Sequence, residues 1–589
     1  MKRVNILIMS IVAMLLISCN EQLDLPTDGR ITMDQVFSDY NRTRGYLNSC
    51  YGHCPPPHMN RSSYTDEAQN VYGSEPDNQF SNWYEGHVTA VNYPQNSADA
   101  SPWGQLYEGI RKCNVFLENI KTATVRASEE VKAGWVAQAR TLRALYYLQL
   151  IKRYGGVPIF DAPLGTDHDF SQDRRASFAE VVQFILDDCD AALAVPATRD
   201  GFHWEIYDNQ YGIMSRAVAY AIKSQAVTYA ASPLWRDGTF TWEEATQINA
   251  EALAQCLAND YRLFDEAPSP DIAHNAYALY FFTTSNDKRA ADKETIYHLG
   301  NPLSVWRDAG LPTNNGMNSA GPSPTQELVD SYEMANGEAP ISGYSDANHL
   351  IPIINAASGY DPANPYAGRD PRFYASIYYN GAVRFLDQPS GRKVETFVGG
   401  AEGISSSDIQ HTRTGYYLRK FNNFQSGINN DADGGIRLFR LAELYLNFAE
   451  SAYQSAGPDV PVTSSGGFSM SARDAVSAVR ARAGMPAFPA GMSKEEFEKK
   501  YRNERRVELA FEEHRFFDVR RWKILDQTSR FVTGMRITQN GSELDYERFK
   551  FSDRAGYEDK YLMYPIDQSE VNKMIGLTGE NWQNPGWLD

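Results

Sequence analysis

Glu504-Arg505-Arg506-Val507-Glu508-Leu509-Ala510-Phe511-Glu512-Glu513-His514-Arg515-Phe516-Phe517-Asp518-Val519-Arg520-Arg521-Trp522 is the densest charged motif of the chain. How it is read decides the fold. A catalytic reading takes Glu512 and Asp518 as a glycosidase acid pair. The spacing favours another. Glu504 and Glu508 stand one helical turn apart, as do Glu508 and Glu512, with Arg505 and Arg506 interleaved. That interval supports i,i+4 and inter-helix ion pairs. The stretch therefore reads as part of a helix from Lys494 to Arg521, with charges that are structural. His514 lacks the second histidine of a zinc-protease motif, so no metal is expected there.

Working outward, most strong signals are helical. Gln138 to Tyr154 carries Ala139, Leu142, Leu145, Tyr146, Leu150 and Ile151 on one broad face, and Gly155-Gly156 ends it. Phe178 to Leu193 spaces Val181, Val182, Ile185, Cys189 and Ala192 as a helix does. Ser215 to Ala231 is alanine-rich and stops at Ser232-Pro233. Trp242 to Leu257, Ile436 to Tyr453 and Ala472 to Ala483 complete the set. Small residues at i, i+4 among aromatics suit closely stacked helix pairs of tetratricopeptide type, although no clean repeat period is present. The expected fold is mostly α: a superhelical scaffold of tetratricopeptide-like helix pairs with long loop-rich elaborations. Residues 55–102 and 265–430 are rich in Gly, Pro, Asn, Asp and Tyr, and loops this long usually carry function.

The N-terminus has its own pattern. Lys2 and Arg3 precede an apolar run from Ile6 to Ile17, then Ser18-Cys19. The run is too short for a bilayer-spanning helix and reads as a secretory signal. A cysteine directly after the small residue marks a bacterial lipoprotein signal, with Cys19 the lipidated mature N-terminus. Stable anchoring takes two or more acyl chains.

A net charge of −18 argues against nucleic acid and against polybasic docking on anionic lipid. Aromatics make up 12% of the chain, enough for both core packing and stacking on ligand faces. Cys50 and Cys54, with His53 and His58 nearby, invite a zinc site, but the spacing matches no common pattern. A local disulfide is the alternative in an exported protein. Cys113, Cys189 and Cys256 fall in helical patterns as small core residues. Asn429 to Gly434 resembles the start of a calcium loop, but the twelfth position from Asn429 is Arg440, not Glu. An EF-hand is excluded, which leaves a polar turn or a structural calcium ion of another kind. No other cofactor is expected.

Several further motifs carry a family resemblance. Trp103-Gly104-Gln105-Leu106-Tyr107 running to Asn114 resembles the first helix signature of SusD/RagB-like outer-membrane proteins. Leu142-Arg143-Ala144-Leu145-Tyr146-Tyr147 running to Pro158 resembles the next. Pro324 to Val329, Arg369-Asp370-Pro371-Arg372, Arg440 to Glu450, the Glu504–Trp522 stretch and Gln583-Asn584-Pro585-Gly586-Trp587 are similar to others. The resemblance spans the mature chain. It implies a helical surface lipoprotein of the outer membrane, anchored at Cys19, that binds oligosaccharide or polysaccharide without cleaving it. Such a protein delivers its ligand to a SusC-like TonB-dependent transporter. The alternative is a peptide-binding lid of a RagAB-like importer; a glycoside hydrolase is a third reading. The expected organisation is a signal peptide at 1–18, an N-terminal region at 19–260, a loop-rich ligand- and partner-facing region at 261–430 and a C-terminal region at 431–589.

A sugar ring offers apolar C–H faces and a rim of hydroxyls, so a binder presents aromatic platforms beside amide, carboxylate or guanidinium groups. Asn82-Trp83-Tyr84 in the early loop combines these. Tyr280, and Trp306 with the adjoining Asp308, do so in the second loop region. Asp66 and Arg369 are polar candidates, although the motif around Arg369 also suggests a structural ion pair. Trp83 and Trp306 are expected as exposed platforms, against ordinary packing as the alternative.

Overall fold

The computed structural model describes residues 31–95, 101–204, 212–266, 275–282, 292–299, 309–312, 319–383, 393–422 and 435–587. Cys19, Trp306, Asp308 and the Asn429–Gly434 segment lie outside the described residues.

The scaffold is a succession of antiparallel-style neighbours: α1 Trp103–Asn119, α2 Glu129–Tyr154, α3 Phe178–Leu193, α4 Arg216–Ala231 and α5 Trp242–Ala258, each packed on the next. The chain then leaves the stack for about 180 residues and returns with α6 Leu441–Ser455, which packs on α5, followed by α7 Ala472–Arg482 on α6. A sequence-distant helix thus extends the superhelix. Local chemistry explains the helix ends. Ser177–Glu180, Thr241–Glu244 and Ser471–Asp474 form reciprocal capping boxes at the starts of α3, α5 and α7. Gly155, at φ 74°, closes α2 where a side chain would be strained. Between α2 and α3, Arg143 meets Asp188 at 2.8 Å inside the stack.

The expected helix from Lys494 to Arg521 is two helices, α8 Lys494–Glu508 and α9 His514–Arg521. The chain turns between them with Phe511 at φ 63° and Glu513 at φ 71°. Both are non-glycine residues in the left-handed region, which surrounding contacts must impose. A final helix, α10 Gln568–Thr578, precedes the C-terminus. No described helix is long and apolar enough to cross a membrane.

Among the described residues, strands occur only as two-stranded antiparallel pairs. Three matter here. β1 Ala68–Asn70 pairs with β2 Pro322–Pro324, joining the early loop to the later one. β3 Ile341–Tyr344 pairs with β4 Pro352–Ile354. β5 Phe531–Asn540 and β6 Glu543–Asp553 form the long hairpin near the end. Cys50 and Cys54 are separate buried thiols, not a disulfide; Cys113, Cys189 and Cys256 are buried in α1, α3 and α5.

Candidate functional site

A groove of about 1040 Å³ opens on the face formed by the β3–β4 hairpin and α8. One wall is the β3–β4 hairpin and the other is α8; the short helix Gln326–Ser331 lines part of it. The hairpin forms because short apolar runs flank the polar turn Ser345-Asp346-Ala347-Asn348, where the Asp346 carboxylate accepts from the Asn348 and Ile351 amides. On this wall Tyr344 and His349 stack, with ring centres 4.0 Å apart and planes 10° from parallel. The Tyr344 hydroxyl donates to Asp330 Oδ2 at 2.7 Å, and Asp330 is paired with Arg548, which fixes the ring. Glu338, Ser342, Asn355, Lys499 and Asn503 supply donors and acceptors around it. The result is a stacked aromatic pair in a groove with both polar and apolar lining, chemistry suited to a ligand that has hydroxyls and apolar faces.

The anticipated site residues are mostly elsewhere. Asp66 does line the groove, but it is consumed there: Arg515 binds both its oxygens at 2.8–2.9 Å and Arg506 reaches it at 3.0 Å. Burial would raise its carboxyl, and the two guanidiniums overcome that, holding it at about 2. Trp83 is not an exposed platform; it is 3% exposed. The segment read as a loop is the short helix Gln79–Tyr84, capped by Asn78, and its spacing turns Phe80, Trp83 and Tyr84 inward. Trp83 packs against Tyr64 at 4.8 Å and Tyr561 at 5.0 Å. The Tyr84 ring lies under Arg554, and its hydroxyl accepts the Asn70 amide. Asn82, on the outer side of the same turn, is half-buried. Tyr280 is fully buried, its hydroxyl 2.9 Å from Thr295 and its ring under Arg437. Arg369 is buried too, and its partners are carbonyls rather than a carboxylate: Val329 at 2.6 Å, Tyr332 at 2.7 Å and Pro365 at 2.9 Å. Tyr344 and His349, candidates that the groove adds, are not among the residues expected from the sequence. The signal available was the hairpin pattern, two short runs around a polar turn.

The carboxylates of the Glu504–Trp522 stretch are all committed. Glu504 binds Arg372 and Arg480; Glu508 binds Arg372, Arg440 and Arg482. Glu512 meets Arg440 and Lys420, each at 2.7 Å, and Asp518 meets Arg505 at 2.7 Å and Arg521 at 2.8 Å. Burial alone would raise Glu512 and Asp518, but the neighbouring cations bring both down to about 2. The expectation of ion pairing is met, with most partners drawn from other elements rather than from the same helix face.

The SusD family model matches residues 280–587, more than half of the chain. The chain belongs to the SusD family. A second family model, described as starch-binding associating with outer membrane, matches residues 33–221. The fold is similar to a SusD-like protein from Bacteroides fragilis, with 26% identity and a TM-score of 0.75, covering 94% of this chain and 98% of that one. It is also similar to a SusD-like carbohydrate-binding protein from Bacteroides fragilis, at 22% identity and a TM-score of 0.68 over 91% of this chain and 98% of that one. Among curated relatives, SusD-like protein P38 of Formosa agariphila is 23% identical over 241 residues, 37% of this chain. That match spans only 45% of P38. The mostly helical architecture is thus the tetratricopeptide-like fold of SusD-like proteins.

Proposed function

We propose that this protein is a cell-surface lipoprotein that captures an oligosaccharide in the groove between the β3–β4 hairpin and α8. It hands the ligand to a SusC-like TonB-dependent transporter. The observation that carries the reading is the groove: its volume lies at the upper end for ligand sites, and the stacked Tyr344–His349 pair stands among amide, carboxylate and ammonium groups. Membership of the SusD family and the starch-binding description of the second matching model support the ligand class. Binding without cleavage is supported by the state of Glu512 and Asp518, the acid pair of the hydrolase alternative: both are buried and held as ion pairs rather than poised as acid and base. Cys19 anchors it through lipid.

The test is calorimetry with starch-type and other oligosaccharides. Tyr344→Ala should weaken binding by about thirtyfold or more, as loss of a central aromatic anchor does, while Tyr344→Phe keeps the platform and most of the affinity. Equal affinity in Tyr344→Ala and the parent protein would remove the groove from the account.

A further inference from the structure

A second cavity, of about 320 Å³, lies where α1 meets α10, and it shares no lining residue with the groove. Trp103 and Tyr107, one turn apart on α1, form one side; Phe160 and Phe170 come from the segment between α2 and α3, and Met574 and Trp582 from the C-terminal segment. The rings are mutually braced, Trp103 to Tyr107 at 5.1 Å and Tyr107 to Phe160 at 5.8 Å. Most of the polar groups inside are already used. The Tyr107 hydroxyl donates to the Pro158 carbonyl at 2.8 Å. The Asn114 amide donates to the carbonyls of Phe160 and Ala162, and its oxygen accepts from Arg143. Arg111 reaches the Leu164 carbonyl, and Asp173 is held by His168. One group is different. Trp582 is 4% exposed, and its indole N–H has no acceptor.

A buried donor without a partner costs free energy, and a ligand that supplies an acceptor recovers it. The surrounding walls are aromatic and aliphatic. A sugar ring placed there would leave several hydroxyls unpaired, at a cost for each. A flat apolar ring with an adjoining acceptor oxygen and no hydroxyl donors meets both conditions: it stacks on the aromatic walls and takes the Trp582 N–H. The volume is at the lower end for small-molecule sites, suited to one such ring rather than a chain.

We propose that this cavity is a binding site for an aryl group whose adjoining carbonyl or ether oxygen accepts the Trp582 N–H, either a free benzoate-type ester or an aryl substituent carried on a sugar. The assignment does not depend on the glycan groove.

Ligand-observed NMR with methyl benzoate, toluene, phenyl β-glucoside and methyl β-glucoside tests it on the full mature chain. Methyl benzoate should bind saturably at millimolar concentration. Trp582→Phe keeps a ring and removes the donor; it should weaken methyl benzoate by roughly three- to tenfold and leave toluene unchanged. Met574→Trp, at a partly buried position, should fill the cavity and abolish both. If that variant does not fold, Phe170→Ala, at a position 37% exposed, should still weaken both several-fold. Phenyl β-glucoside binding that Met574→Trp removes identifies a substituent on a sugar as the source, whereas binding of methyl benzoate alone identifies a free benzoate-type ester. Absence of methyl benzoate binding, binding unaltered by Met574→Trp or Phe170→Ala, or equal binding of methyl β-glucoside in the cavity would each overturn the proposal.

Discussion

Residues 504–522 and the β3–β4 hairpin invert the usual relation between polarity and exposure. In the first, Glu504, Arg505, Glu508, Glu512, Asp518 and Arg521 are all buried. In the second, Ile351, Ile353 and Ile354 stand in solvent at 59%, 47% and 36% exposure. Charge goes inside where counter-charges are supplied from several directions: Arg440 alone binds Glu294, Glu508 and Glu512. Apolar residues stay outside where a two-stranded hairpin has no third layer to cover its outer face. Geometry of partners, rather than side-chain polarity, sorts these two regions.

The largest expected effect falls on the buried charges. Arg440→Ala would leave three carboxylates short of a cation in a dry setting, and breaking a buried pair from one side costs about 3–5 kcal/mol. The urea midpoint should fall accordingly. A change of less than about 1 kcal/mol would mean that the block behaves like surface ion pairs.

A pH series sharpens the same comparison at an intermediate scale. Glu508, Glu512 and Asp518 sit near 2 in the folded protein, below their ordinary values of 4.5, 4.5 and 3.8. Their contribution is present above those values and is lost as pH falls toward 2. Glu67 is the opposite case. Burial pushes it up to about 8, although Arg506 and Arg515 pull it back in part, and both its carboxyl oxygens lack a hydrogen-bond partner. Its stabilising neutral form is complete below 4.5 and is lost as pH rises through 8. Glu67→Gln should therefore flatten the decline in denaturant midpoint between pH 5 and pH 8. A variant whose midpoint declines as steeply as the parent's would exclude Glu67 as the cause.

The smallest effect belongs to the hairpin. Ile353→Ser should alter stability by no more than about 0.5 kcal/mol, as exposed substitutions do. A larger loss in thermal melts would show that the hairpin is covered in solution.

Much of the scaffold was legible because its determinants are local. Ser177 and Glu180 announce the start of α3, and Val181, Val182, Ile185 and Cys189 give its buried face. The break after Glu508 was not legible. The apolar and charged spacing runs on without Gly or Pro, and only tertiary contacts hold Phe511 and Glu513 left-handed. Trp83 misled for a related reason. Its Asn-rich neighbourhood reads as loop, while the Phe80–Trp83–Tyr84 spacing belongs to a single capped turn pressed into the core. The groove was hidden because its parts, Tyr344, Asn355 and Asn503, converge only through tertiary packing, which no sequence interval records.

Glu512→Gln bears most directly on the central claim that the charged block builds the fold and does no chemistry. Thermal melting and oligosaccharide calorimetry on that one variant decide it. The account predicts a lowered melting temperature, because the amide cannot satisfy Arg440 and Lys420 as the carboxylate does, with an unchanged Kd for oligosaccharide in the folded fraction. An unchanged melting temperature together with loss of binding, or loss of a bond-cleaving activity present in the parent protein, would contradict it.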